Sequence, residues 1–327
     1  MKIKLLEILC CPHCQAPLAL ADAVPANGEV VSGRLVSACG QDYPIIRSIP
    51  RFVPSENYAS NFGFQWNHFR QTQLDSASGV PISRDRYLKQ TRWNAERMAG
   101  KLVLDAGCGA GRFAEIALSL GAEVVAIDYS DAVDAAQASL GQTASLHVVQ
   151  ADMYRLPFRR GAFDFVYSLG VLQHTPDAWK AIRALVDQLK PGGEITVDFY
   201  LRRWTNLFEP KYWLRPVTRR MPAERLLAIL RKRVPAMLRL SRLVRRIPFA
   251  GRYLSRLVPV ANYAGVYPLN ERQLQEWALL DTFDWFSPRY DRPQNARTLE
   301  KELRATGLEG VEVFRAGHLT GQGRKPS

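Results

Sequence analysis

Between residues 101 and 200, short apolar runs alternate with longer stretches in which apolar residues recur every three or four positions. Uninterrupted apolar runs bounded by glycine or polar residues predict strands buried on both faces, and the longer spacing predicts helices lying on them. Strands are expected at Lys101–Asp105, Glu123–Asp128, Leu146–Gln150, Phe163–Ser168 and Glu194–Phe199, with helices between them such as Gly111–Leu120 and Ala178–Leu189. This alternation predicts an α/β fold with a doubly wound parallel sheet.

The flanking regions read differently. Residues 1–54 carry short strand-like runs and end at Pro50 and Pro54, as a small separate unit does. Residues 55–100 are aromatic, polar and helical in pattern, and include Phe62-Gly63-Phe64-Gln65-Trp66-Asn67-His68-Phe69. Residues 201–296 hold basic amphipathic stretches, which Pro235 and Pro248 are expected to break into short helices, and then an aromatic, loop-like stretch near 277–290. Residues 297–327 predict a helix near 297–306 and a last strand at Val311–Phe314, closing the sheet.

The chemistry concentrates where the first predicted strand ends. Asp105-Ala106-Gly107-Cys108-Gly109-Ala110-Gly111 places Gly107, Gly109 and Gly111 at a strand-to-helix turn, where backbone can approach a ligand closely at a helix N-terminus. Asp128 ends the next strand 21 residues after Gly107, the distance at which an acid reaches a ribose. Gly109 to Ala114 also satisfies the dinucleotide pattern G-x-G-x-x-A. Three features favour S-adenosylmethionine (SAM) instead. Asp105 suits an ammonium and would repel a pyrophosphate. Asp152 and Met153 close the third strand, where an acid accepts from an adenine amino group and an apolar neighbour packs on its ring. Leu189-Lys190-Pro191-Gly192-Gly193 reads as a helix end, a sharp turn and a strand start.

This set, together with Phe163-Asp164 and Gly170-Val171-Leu172-Gln173-His174-Thr175-Pro176-Asp177, resembles the class I SAM-dependent methyltransferases over residues 100–200. The resemblance implies a seven-stranded Rossmann-like sheet. It implies that Asp105 and the backbone of Gly107 and Gly109 hold the methionine end of SAM, and that Asp128 accepts from the ribose hydroxyls. Tyr129 would flank the adenine, Asp152 and Met153 would bind its edge and face, and Ser168 to Gly170 would line the path to the methyl group. His174 is the candidate general base; its plainer role is to cap Thr175-Pro176-Asp177 or to pack on the cofactor. Leu280 to Asp291 reads either as a packed corner or as a substrate lid, in which Asp281, Asp284 or Tyr290 touches the acceptor and Gln65, Trp66 and His68 close the other side.

Cys11-Pro12-His13-Cys14 and Cys39-Gly40 resemble the small zinc-ribbon-like domain that precedes many methyltransferases and also occurs alone as an activator of tRNA and protein methyltransferases. Cys11, Cys14 and Cys39 are the candidate ligands of a structural zinc. Val36 stands where a second knuckle would supply its first cysteine, so Cys10, His13 or Asp42 is needed to complete the shell, or the site is empty.

Charge adds one further signal. Of the net +13, residues 201–260 carry sixteen Lys and Arg against only Glu209 and Glu224, which leaves the rest near neutral. Three readings stand for this segment: a helical insertion with a solvated basic face, an interfacial element on anionic lipid, or an RNA surface, the last disfavoured by few interleaved aromatics. The chain has no run of 18 uncharged apolar residues and no apolar leader in its first 20, so a cytoplasmic protein is expected, with peripheral contact at the inner face of the membrane as an option. The acceptor expected is a small molecule, a glycan or a lipid-linked intermediate. An rRNA or tRNA methyltransferase is the runner-up, and a non-catalytic SAM-binding regulator stands behind it. No sequence signal speaks to oligomeric state.

Overall fold

The computed structural model describes residues 1–54, 57–204 and 209–327. The N-terminal part is an antiparallel meander of β1 (Leu18–Ala26), β2 (Glu29–Ser37), β3 (Asp42–Ile46) and the two-residue β4 (Ile49–Pro50), paired in chain order. Four short helices follow: α1 (Ser60–His68), α2 (Asp75–Ser78), α3 (Ile82–Thr91) and α4 (Ala95–Met98).

The central sheet has seven strands. They are β5 (Leu102–Ala106), β6 (Glu123–Asp128), β7 (Leu146–Gln150), β8 (Phe163–Ser168), β9 (Leu189–Phe199), β10 (Glu309–Ala316) and β11 (His318–Arg324). The order is β10-β11-β9-β8-β5-β6-β7; β5 to β9 run parallel, while β11 is antiparallel to both β9 and β10. Helices α5 (Arg112–Ser119), α6 (Ala132–Leu140), α7 (Ala178–Asp187) and α12 (Ala296–Ala305) flank it. Val103, Leu104, Val124, Val125 and Val166 are fully buried, as residues covered on both faces must be. The N-terminal part covers the outer edge of β7: the Phe52 amide donates to the Gln150 carbonyl at 2.8 Å, and Arg51 bonds the Gln150 side chain at 2.8 Å and Asp134 at 2.7 Å.

Between β9 and α12 lie α8 (Pro210–Thr218), α9 (Ala223–Arg245), α10 (Gly251–Leu254) and α11 (Glu271–Phe286). Two expectations are corrected here. Pro235 does not break the helix: α9 runs for 23 residues through it, because Leu226, Leu227, Leu230, Val234 and Leu238 are buried in one cluster with Ala278, Leu280, Phe283 and Phe286 of α11. That packing outweighs the single hydrogen bond a proline removes. The stretch near 277–290 is not a loop up to Phe286; it is the latter part of α11, started by a capping box of Asn270 and Gln273.

Two more differences concern the sheet. Leu189–Gly193 is not a turn between elements but the opening of β9, which carries an irregularity: Phe163 faces Leu189 while Phe165 already faces Glu194. The position of strand β11, one of the strands expected to complete the sheet within 297–327, was not placed, because its Gly321 and Gly323 weaken a strand pattern. Both glycines have a packing reason. A Cβ on Gly321 would lie 2.6 Å from Leu303 of α12, and one on Gly323 would lie 3.0 Å from Leu308. Among the described residues, no helix is long and apolar enough to cross a membrane.

Candidate active site

A cavity of about 680 Å³ opens at the C-terminal ends of the parallel strands, where ligands bind in open α/β sheets. One half is built by the glycine turn. The amides of Gly107 and Cys108 both donate to the Ile127 carbonyl at 2.8 Å, which ties the turn to β6. Gly107 has φ +89°, and a Cβ there would meet the Val171 methyls at 2.5 and 2.6 Å; at Gly109, φ +53°, a Cβ would come within 3.0 Å of the Trp66 ring. Gly111 serves packing instead, since its Cβ would lie 2.6 Å from Leu140 of α6. The Asp128 carboxylate accepts from the Gly109 amide at 3.0 Å and from Ser130 at 2.8 and 2.7 Å. Burial raises its pKa, and these hydrogen bonds oppose the rise. Tyr129, Met153, Leu169 and Gly170 complete this half, with Tyr58 stacked on Tyr129 at 5.1 Å.

Besides Gly111, three expected cofactor residues do not line the cavity. Asp105 lies beneath the turn, 2 % exposed, with its Oδ2 unpartnered. Burial pushes its carboxyl up to about 8; Asp128 adds to the rise and Tyr167 opposes it. Asp105 thus sits behind the turn near the end of β5, with its carboxyl outside the cavity lining. The Ser168 hydroxyl donates to the Ala106 carbonyl at 2.8 Å and is fully buried. Asp152 forms a local turn by accepting from the Tyr154 amide at 2.8 Å.

The other half gathers side chains from distant segments. His174 lines the cavity; its Nδ1 donates to the Tyr290 carbonyl at 2.9 Å, and its Nε2 is buried without a partner. A carbonyl can only accept, so Nδ1 carries a proton, and in the neutral ring the lone pair belongs to Nε2. Gln65 and Trp66 of α1 and Asp281 and Asp284 of α11 all line the cavity. Asp284 accepts from Gln65 and from the Tyr200 hydroxyl, each at 3.4 Å. Asp281 accepts from Gln73 at 3.1 Å and from the Tyr263 hydroxyl; burial pushes it up to about 6, with Tyr263 opposing. Tyr290 contributes its carbonyl and not its ring, which packs edge-on to Tyr58 outside the cavity lining. His68 faces Arg231 and lies outside the cavity.

Residues missed in the sequence stand here as well. Arg86 pairs with Asp198 at 2.7 Å, and Gln90 donates to the same Asp198 oxygen at 2.8 Å. Burial would raise the Asp198 pKa, but Arg86 foremost, then His318 and these hydrogen bonds, hold it below the ordinary carboxylate range. Arg112, just after the last glycine of the turn, donates to Ser83 and Gln73, both at 2.8 Å, and lines the cavity. An acid inside the apolar run Ile195–Phe199 was the one signal that could have pointed to Asp198.

In the N-terminal part the sulfur atoms of Cys11, Cys14 and Cys39 lie within 4.8 Å of one another. The fourth direction is not filled by Cys10, which instead bonds Gln15 at 3.6 Å, nor by His13 or Asp42. Two hydroxyls border the cluster, Ser37 at 3.2 Å from Cys14 and 3.4 Å from Cys39, and Tyr43 at 3.2 Å from Cys11. Burial would raise the Cys11 thiol, yet hydrogen bonds from Ser37 and Tyr43 hold it below its ordinary range.

The fold and the glycine-turn cavity define a doubly wound α/β protein of the methyltransferase type. Residues 104–197 match the methyltransferase domain family, and residues 2–48 match the family of Trm112p-like proteins. The chain thus carries a class I SAM-dependent methyltransferase domain preceded by a Trm112-like zinc-ribbon domain. A ubiquinone biosynthesis O-methyltransferase of Xanthomonas euvesicatoria pv. vesicatoria is 36% identical over 108 residues, covering 30% of this chain and 42% of that protein. The protein of the same description from Thiobacillus denitrificans is 38% identical over 108 residues, covering 31% and 46%. The chain therefore spans under half the length of these relatives. Human N-acetylserotonin methyltransferase, crystallised in complex with SAM, matches with a TM-score of 0.47 and 15% identity over 84% of this chain and 61% of that one.

Proposed function

We propose that this chain transfers a methyl group from SAM to a small-molecule acceptor held in the second half of the cavity. The observation that carries this reading is His174: its Nδ1 is fixed by a carbonyl, while its unpartnered Nε2 belongs to the same cavity as the glycine turn. The residues present suit the cofactor. Gly107 and Gly109 line the cavity in a positive-φ turn too tight for a Cβ, Asp128 keeps a lone pair on Oδ2 for a ribose hydroxyl, and Tyr129 and Met153 offer apolar faces to an adenine.

When bound, SAM supplies an electrophilic methyl on a sulfonium. The protein's part is to align the acceptor and exclude water. Trp66 and Tyr58 cover the glycine turn and Tyr129 from the α1 side. Gln65 and Asp284 orient a polar group of the acceptor. For a hydroxyl acceptor, His174 Nε2 would take the hydroxyl proton, with the Tyr290 carbonyl stabilising the imidazolium through Nδ1–H, while the methyl of bound SAM would pass to the oxygen and leave the C–S electron pair on a neutral thioether. The division of labour we propose gives 101–200 the cofactor, 55–100 and 201–296 the acceptor, and 297–327 the sheet's last strands.

Cys11, Cys14 and Cys39 fit three corners of a tetrahedral zinc site, and we assign them that role. Metal analysis after purification without chelator should find zinc; less than roughly half an equivalent counts against the assignment. The basic segment 201–260 is assigned to the inner, anionic face of a membrane, which makes the protein peripheral and a lipid-linked acceptor natural. The function test is transfer of a labelled methyl from SAM to lipid, glycan and RNA fractions. Label in a lipid or small-molecule fraction supports the reading. Label in RNA alone would replace it, and SAM binding without label in any fraction would mark a regulator.

A further inference from the structure

Helix α9 changes character along its length. Up to Ser241 its apolar side is buried against α11. From Leu240 onward several apolar residues face solvent: Leu240 is 51% exposed, Leu243 59%, Ile247 46%, Tyr253 60% and Leu257 49%. Phe249 caps this end on a turn with φ +59° and is fully exposed, at 101%. Around them stand Arg239, Arg245, Arg246, Arg252 and Arg256, all exposed. From Arg225 to Asn270 the sequence holds ten Lys and Arg and no acid. Within that span, among the described residues, only Arg242 pairs with a carboxylate, that of Glu271.

The same end of α9 adjoins the cavity wall. Arg245 donates to the Ala264 carbonyl at 3.2 Å, and Asn262 donates to Ser241 at 3.1 Å. The loop held in this way carries Tyr263, Val266, Tyr267 and Pro268, which line the cavity, and Val266 is itself 55% exposed at the mouth. Exposed apolar residues and arginines without carboxylate partners therefore adjoin, through these two hydrogen bonds, the loop that lines the cavity.

We propose that the C-terminal end of α9, the Phe249 turn and α10 form a docking surface for an anionic lipid bilayer, so that a lipid-soluble acceptor reaches the cavity past Val266 without crossing water. Apolar side chains seat among acyl chains while arginines meet lipid phosphates, the division of work in interfacial helices. The charge makes a neutral or basic protein partner a poor fit. The access half of the proposal rests on the cavity being an acceptor site. Vesicle binding needs neither cofactor nor acceptor, so the two fail separately.

The test is flotation of the full chain with phosphatidylcholine vesicles with and without phosphatidylglycerol, beside Leu243→Asp/Phe249→Asp. Wild type should float with the anionic vesicles, and the variant should partition roughly tenfold less while its melting temperature and SAM affinity stay unchanged. Phe249→Trp should gain quenching by brominated lipid that wild type, with its other tryptophans, does not show. The proposal is overturned by absence of binding, by equal binding to neutral vesicles, or by unchanged partition of the variant. Salt-sensitive RNA binding through the same residues overturns it as well, as does a dimer that shields Phe249→Trp without lipid.

Discussion

The two halves of the cavity are built by different means. On the cofactor side the main chain does most of the work: glycines with positive φ, amides tied to the Ile127 carbonyl, and an acid at a strand tip. On the acceptor side, side chains converge from α1, α3, His174, Tyr200 and α11, spread over more than 200 residues of sequence. A site made of backbone leaves a compact, spaced signature in the sequence. A site made of converging side chains leaves none, because its spacing exists only after folding.

The largest effect that sharpens this comparison belongs to His174. His174→Ala should lower turnover by about 10²–10⁴-fold and leave SAM affinity within about threefold. Equal losses in both would move His174 to the cofactor side. Asp198→Asn comes next: it strands the Arg86 cation beside the cavity and should cost about 3 kcal/mol in denaturant unfolding. Because the Asp198 pKa is depressed in the folded state, its contribution stands above the ordinary carboxylate range and fades as pH falls through the folded value.

Gly107→Ala adds a Cβ 2.5 Å from Val171 at φ +89°. It should weaken SAM binding on the order of 100-fold in calorimetry with the fold retained by circular dichroism, whereas Asp284→Asn should leave that affinity unchanged. The smallest effect has the opposite pH sign to Asp198. The Asp105 carboxyl is raised to about 8 by burial, so the stability it contributes is full below about pH 4 and is lost as pH rises towards 8. Asp105→Asn should equal wild type near pH 4 and exceed it at pH 8 in denaturant unfolding. A flat difference between the two pH values would show that Asp105 already has a partner.

The same contrast explains what could be read in advance. Strands β6, β7 and β8 fall where continuous apolar runs predicted them, and the glycine turn lies where Gly107 to Gly111 announced it. β11 was hidden because the residues that let α12 close on it are glycines, which carry no strand signal. Pro235 misled because local propensity was weighed without the α11 face that holds α9 straight. Gln65, Asp281 and Asp284 were singled out by residue type. Their partners Gln73, Tyr200 and Tyr263, and the Arg86–Asp198 pair, needed the chain to fold before they could be seen.

The measurement that bears most directly on the central claim is a calorimetric titration of SAM into the wild-type chain and Asp128→Ala. The account predicts saturable binding by the wild type at one site per chain and loss of that heat in Asp128→Ala. A wild-type chain that takes up no SAM, or a variant that binds it with undiminished affinity, would contradict it.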